Sequence, residues 1–164
     1  MTDAATPFAV GPDERPRLVA PAGEISVLVG TTESGGSMNV FEFWCPAGSG
    51  PALHAHSRED ELWFVLDGEF RFRAGEQTLY AATGGLAFGP RDVPHAFQNI
   101  GQSPGRLLIV TTPGGIQPFF EEIGERWLEE SGPELLAEVG AKLGMSFLGP
   151  PLAVSDPGPS TLQS

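Results

Sequence analysis

An all-β fold, a small barrel followed by two short helices, is what this 164-residue sequence predicts. Three observations carry that reading. The 22 glycines and 16 prolines cut the chain into short pieces, as many brief strands joined by turns require. Between these breaks, apolar and polar residues alternate with a period of two, the mark of strands with one buried face. After Pro113 the apolar spacing lengthens to that of a helix and stays so to Leu143.

Residues 1–16 show no periodicity and read as an N-terminal arm. The first strand is expected over residues 24–30, where the β-branched Ile25, Val27 and Val29 alternate with polar or small partners. A loop over 31–37 leads to a strand over 38–45 that puts Phe41 and Phe43 on one face and Val40, Glu42 and Trp44 on the other. His54 and His56, two residues apart, share a face of the next strand, while Ala55 points away. Residues 57–60 suffice for a tight connection. Glu61 then opens the run Leu62-Trp63-Phe64-Val65-Leu66, which ends at Asp67-Gly68, a hairpin signal. Further strands are expected over 69–74, 77–81, 85–88, 95–99 and 106–112, as a regular antiparallel series closing a barrel over 17–115. Phe119, Phe120, Ile123, Trp127 and Leu128 mark a helix over 118–130, and Leu135, Leu136, Val139 and Leu143 a second over 133–143. Their stripes read as packing against the barrel, with closure of its mouth by Phe119 or Phe120 as the alternative. The helical extension is assigned to 116–151, and the Pro, Ser and Gly-rich tail over 152–164 is expected to be disordered.

Nine Lys and Arg stand against 21 Asp and Glu, a formal charge of −12. Such a surface repels phosphate backbones and anionic lipids, which argues against nucleic acid and membrane partners; the partner expected is a small-molecule substrate. No apolar stretch approaches the roughly 20 residues needed to cross a bilayer. Cys45 is the one cysteine, so no internal disulfide forms, and the N-terminus lacks a basic segment followed by an apolar one. A cytoplasmic location is the expectation. Cys45 reads as a small buried hydrophobe, not a ligand.

The three histidines carry the chemistry. Their first cluster reads Gly48-x5-His54-x-His56-x4-Glu61-x6-Gly68, and the second Gly84-x5-Pro90-x-Asp92-x2-His95-x3-Asn99. A lone strand histidine is more often a hydrogen-bonded residue than a ligand, and a lone glutamate is usually solvated. Four ligand-type residues at these offsets favour a metal centre. The two stretches resemble the paired motifs of the cupin superfamily, which implies a double-stranded β-helix, or jelly-roll barrel. His54, His56, Glu61 and His95 match that family's metal ligands, and Gly48, Gly68, Gly84, Pro90 and Asn99 its structural positions. Asp92 stands where the pattern usually has glycine, and because aspartate tolerates left-handed backbone the turn is expected to survive. The segment from Leu143 to Pro151 is similar to the stretch after the barrel in single-domain cupins related to quercetin 2,3-dioxygenase. The resemblance also implies pairing as a homodimer.

Three imidazoles and a carboxylate suit one divalent transition metal, Fe, Mn, Ni, Co, Cu or Zn, without choosing among them. Four protein ligands leave one or two positions open on a cation that accepts five or six. Glu61 is then both ligand and candidate base. Phe41, Phe43, Trp63, Phe88 and Phe97 are the expected pocket walls, while Arg71 and Arg73 read as surface residues. The resemblance implies an oxidoreductase, a quercetinase-like dioxygenase cleaving a small enolisable aromatic or diketone. A redox-neutral isomerase, cyclase or dehydratase of a polyketide-like or keto metabolite is the alternative, and a non-catalytic ligand-binding protein the third reading.

Overall fold

A computed structural model describes residues 5–157. Its strands are β1 (Leu18–Ala20), β2 (Gly23–Val29), β3 (Asn39–Cys45), β4 (Ala52–His56), β5 (Asp60–Asp67), β6 (Glu69–Ala74), β7 (Gln77–Ala82), β8 (Leu86–Gly89), β9 (His95–Asn99), β10 (Gly105–Thr112) and β11 (Met145–Pro151). Among the described residues there are also three helices, α1 (Gln117–Glu130), α2 (Pro133–Lys142) and α3 (Leu152–Ser155). The strands form two antiparallel sheets, in the orders β1-β2-β3-β10-β5-β8 and β11-β4-β9-β6-β7. This is the double-stranded β-helix that the sequence predicts.

Alternation decides which side chains meet between the sheets. In β3, Asn39, Phe41, Phe43 and Cys45 face inward, and in β5 Glu61, Trp63 and Val65 do the same. The two layers interlock through aromatic pairs: Phe43 meets Phe97 with ring centroids 5.5 Å apart, and Trp63 meets Phe72 at 5.6 Å. Cys45 is fully buried, which pushes its thiol up to about 12, and its Sγ donates to Ser49 O.

Several sequence expectations need correction. Asp67-Gly68 is not a hairpin turn, because β5 pairs with β10 and β8 while β6 pairs with β7 and β9. It is the corner at which the chain crosses from one sheet to the other, and Gly68, at φ 99°, supplies a backbone that L side chains rarely adopt. A short strand, β1, precedes the expected first one and pairs with β2. The last part of the extension is not helical: β11 adds to the second sheet as the neighbour of β4. The tail expected to lack structure from residue 152 begins with α3, whose Leu152 is buried. Residues 158–164 of that tail lie outside the described residues, as do residues 1–4 of the expected arm. Arg71 is buried rather than exposed. Its Nη2 donates to Gln98 Oε1 and to Asp156 O, both at 2.6 Å, which ties α3 to the sheet. Asp92 holds φ 64° and its N–H donates to His56 O, so the left-handed turn survives without glycine.

The two main helices start where proline stands near their first residues. Phe119 and Ile123 of α1 are buried, as are Leu135, Leu136 and Val139 of α2. Gly140 of α2 is where the helix lies against β11, for a Cβ there would come 2.8 Å from the Phe147 ring. No helix among the described residues is long and apolar enough to cross a membrane.

Candidate metal centre

Both ligand motifs reach one point because β4 and β9 are neighbours, registered through a single pair, His54 opposite His95. Glu61 approaches from the opposite sheet, on the inward face of β5. One potential ligand atom from each of His54, His56, Glu61 and His95 lies within 4.8 Å of all the others, and all four residues are buried.

Hydrogen bonds orient the rings. His54 Nδ1 donates to Ala52 O at 2.7 Å, and His95 Nδ1 donates to Val93 O at 2.9 Å. With the proton held on Nδ1, each ring turns an Nε2 lone pair toward the centre. Glu61 Oε2 sits 3.0 Å from His95 Nε2 and 3.1 Å from His56 Nε2. A lone pair facing a carboxylate oxygen at such distances calls for positive charge between them. The spacing is also that of two ligands at right angles around a cation about 2.1 Å from each, which puts them about 3.0 Å apart. Neither His56 nitrogen has a well-directed hydrogen-bond partner among the described residues. The donor set and its spacing therefore fit a divalent transition metal ion.

Electrostatics in the metal-free protein follow from burial and neighbours. Burial drives His54 down to about 3, and the adjoining imidazoles push the same way. Burial would also lower His56, but the carboxylates of Glu59 and Glu61 outweigh it and raise it to about 9. Burial would raise Glu61, yet His56 and His95 hold it well below the usual carboxylate range. The sequence reading missed Glu59. It sits in the β4–β5 connection, 2% exposed, with Oε2 3.6 Å from His56 Nδ1. Nothing in its spacing distinguished it from a solvated loop acid.

A cavity of about 50 Å³ opens on the centre. Phe41, Phe43 and Phe97 line it, as expected, together with Phe119, Phe120 and Phe147, which the strand pattern did not single out as walls. Two expected walls lie elsewhere. Trp63 is buried beneath the site, edge-on to the His95 ring at 5.1 Å, and does not line the cavity. Phe88 is 51% exposed, because β8 turns Ala87 and Gly89 inward and Leu86 and Phe88 outward. A wider open groove of about 890 Å³ runs between α2 and the β11 edge and shares Pro21, Pro51, Ala52, Leu136 and Phe147 with the inner cavity.

Residues 42–111 match the cupin domain family. The chain is 27% identical over 79 residues to an uncharacterized protein of Methanocaldococcus jannaschii, covering 48% of this chain and 63% of that one. It is 30% identical over 77 residues to an uncharacterized protein of Streptomyces coelicolor, covering 47% of this chain and 71% of the relative. The match thus spans under two thirds of the length of the first of these relatives. Among solved structures, an RmlC-like cupin from Shewanella frigidimarina superposes with a TM-score of 0.59 at 17% identity, over 70% of this chain and 96% of that one. With the same strand architecture and its four matching ligand positions drawn to one point, this chain belongs to the cupin superfamily.

Proposed function

We propose that the chain is a metal-dependent enzyme, a dioxygenase acting on a compact enolisable compound such as a small diketone. One observation carries the reading: of a converging cluster of three imidazoles and a carboxylate, His54, His56 and Glu61 face a cavity whose lining contains no lysine or arginine. An anionic substrate such as a sugar phosphate would find no counter-charge on those walls. A neutral compound that acquires charge only on losing a proton suits them better.

A divalent transition metal bound by these four residues supplies Lewis acidity and an exchangeable coordination position. The remaining tasks fall to the chain itself. Ala52 O and Val93 O hold the His54 and His95 rings in the tautomer that presents Nε2. Glu61 Oε2 lies against the imidazoles, which leaves Oε1 to take a proton from an enol hydroxyl. Six phenylalanines around the cavity exclude water and strengthen each polar contact within it. At about 50 Å³ the space holds only a few water molecules, so it favours a small reactive group over a whole flavonol.

The test combines elemental analysis of protein purified without chelators with an oxygen-electrode screen of 1,3-diketones and flavonols. The expected result is about one transition metal per chain and oxygen consumption with a diketone. Glu61→Gln protein that retains metal is expected to lose that consumption. Turnover without oxygen would replace this reading with a redox-neutral isomerase, cyclase or dehydratase. Protein that binds the diketone without converting it would leave a ligand-binding role.

A further inference from the structure

Among the described residues, Thr111 is the one polar side chain lining the inner cavity that does not belong to the candidate ligand set. It lies on β10 directly opposite Glu61 of β5, so the two side chains share the inward face of the sheet. It is 1% exposed, and its Oγ1 has no hydrogen-bond partner among the described residues. Asn39 stands across from it on the other side, but is already engaged: Asn39 Oδ1 accepts from Gly115 N and Nδ2 donates to Thr31 Oγ1.

A buried hydroxyl without a partner destabilises a fold, and valine would fill the same volume with the same strand preference. Packing therefore does not account for a threonine here. We propose that Thr111 Oγ1 is a substrate-binding group, which hydrogen-bonds one oxygen of a ligand whose other oxygen reaches the metal. The ligand class this selects is a 1,3-dioxygenated compound in its enol or enolate form. In its enol form such a ligand would set one oxygen at the cation with the enol proton toward Glu61 and offer the second oxygen to Thr111; in its enolate form that proton would already rest on Glu61. A monofunctional alcohol or ketone would leave the threonine unpaired. The inference rests on the metal-dependent reading above and adds to it the group that recognises the second oxygen.

The experiment uses the full chain as wild type, Thr111→Val and Thr111→Ser. The melting temperature of each is measured without metal, zinc affinity by chelator competition, and the dissociation constant of the zinc-loaded proteins for pentane-2,4-dione by calorimetry. The valine variant is expected to melt at or above the wild-type temperature and to keep its zinc affinity, while binding the dione about tenfold more weakly, the worth of one neutral hydrogen bond. The serine variant is expected to restore dione binding to near the wild-type value. Equal dione affinity in wild type and valine variant would overturn the Thr111 assignment and leave the metal-dependent reading standing. So would a marked fall in the valine variant's melting temperature, for the hydroxyl would then be structural. Zinc-loaded wild type that does not bind the dione would overturn both.

Discussion

His54 and His95 face each other across β4 and β9, with ring centroids 4.6 Å apart. That contact joins two segments separated by some forty residues of chain, and the centre exists only when both strands are in register. A metal bound at this centre is therefore expected to stabilise the second sheet. Four consequences can be measured.

Metal affinity depends on pH in a defined direction. His56 is raised to about 9 in the metal-free protein, so at neutral pH it carries a proton that the metal must displace. Apparent affinity is expected to rise about tenfold per pH unit between pH 7 and 9 and to level off above, with release of about one proton visible by calorimetry in buffers of different ionisation heat. A flat profile would mean that His56 is already neutral.

Stability of the metal-free protein is expected to respond the other way. The raised His56 contributes stability that is present below its ordinary value of 6.5 and lost as pH climbs through about 9. His54, lowered to about 3, stays neutral when folded, so stability is lost as pH falls from 6.5 toward that value. Glu61, also lowered, adds to the acid loss below its ordinary 4.5. Melting temperature without metal should peak near pH 6.5, and added zinc should shift the peak upward in pH.

Glu59→Gln tests the partner behind His56. Glutamine keeps the shape but removes the charge 3.6 Å from His56 Nδ1. Above pH 9, where a proton on His56 no longer competes, metal affinity should fall by about 10- to 100-fold with the fold intact, since outer partners of this kind orient ligands and raise their basicity. Chelator competition gives the affinity, and an NMR titration of the metal-free variant should show His56 titrating at lower pH than in wild type.

Phe147→Ala tests the wall between cavity and groove. Phe147 lies opposite His54 in the β4–β11 register, and its ring stacks on both His54 and Phe119 at 5.7 and 5.9 Å. Because the side chain is only half buried, the stability loss should stay below the roughly 3–5 kcal/mol of a fully buried phenylalanine. Joining the two spaces should move preference toward bulkier diketones, read as a ratio of kcat/KM values. An unchanged ratio would place the entry route elsewhere.

Much of this was legible in advance because strand geometry is local. Two histidines at i and i+2 must share a face, alternation told Phe41 and Phe43 from Val40 and Trp44, and helical spacing located α1 and α2 to within a residue or two at each end. Residue types at motif spacing marked the four candidate ligands, and residue types gave the class of metal they suit, since imidazole and carboxylate chemistry travels with the side chain.

What only the tertiary structure decided depends on contacts between distant segments. Sheet membership made Asp67-Gly68 a corner, turned Phe88 outward and drew the last part of the extension in as β11, bringing Phe147 beside the site. Burial made Glu59 and Arg71 partners within the fold instead of solvated charges, and cross-strand register set Thr111 against Glu61. None of these follows from spacing along the chain, because a charged or polar side chain takes its role from what folding packs around it.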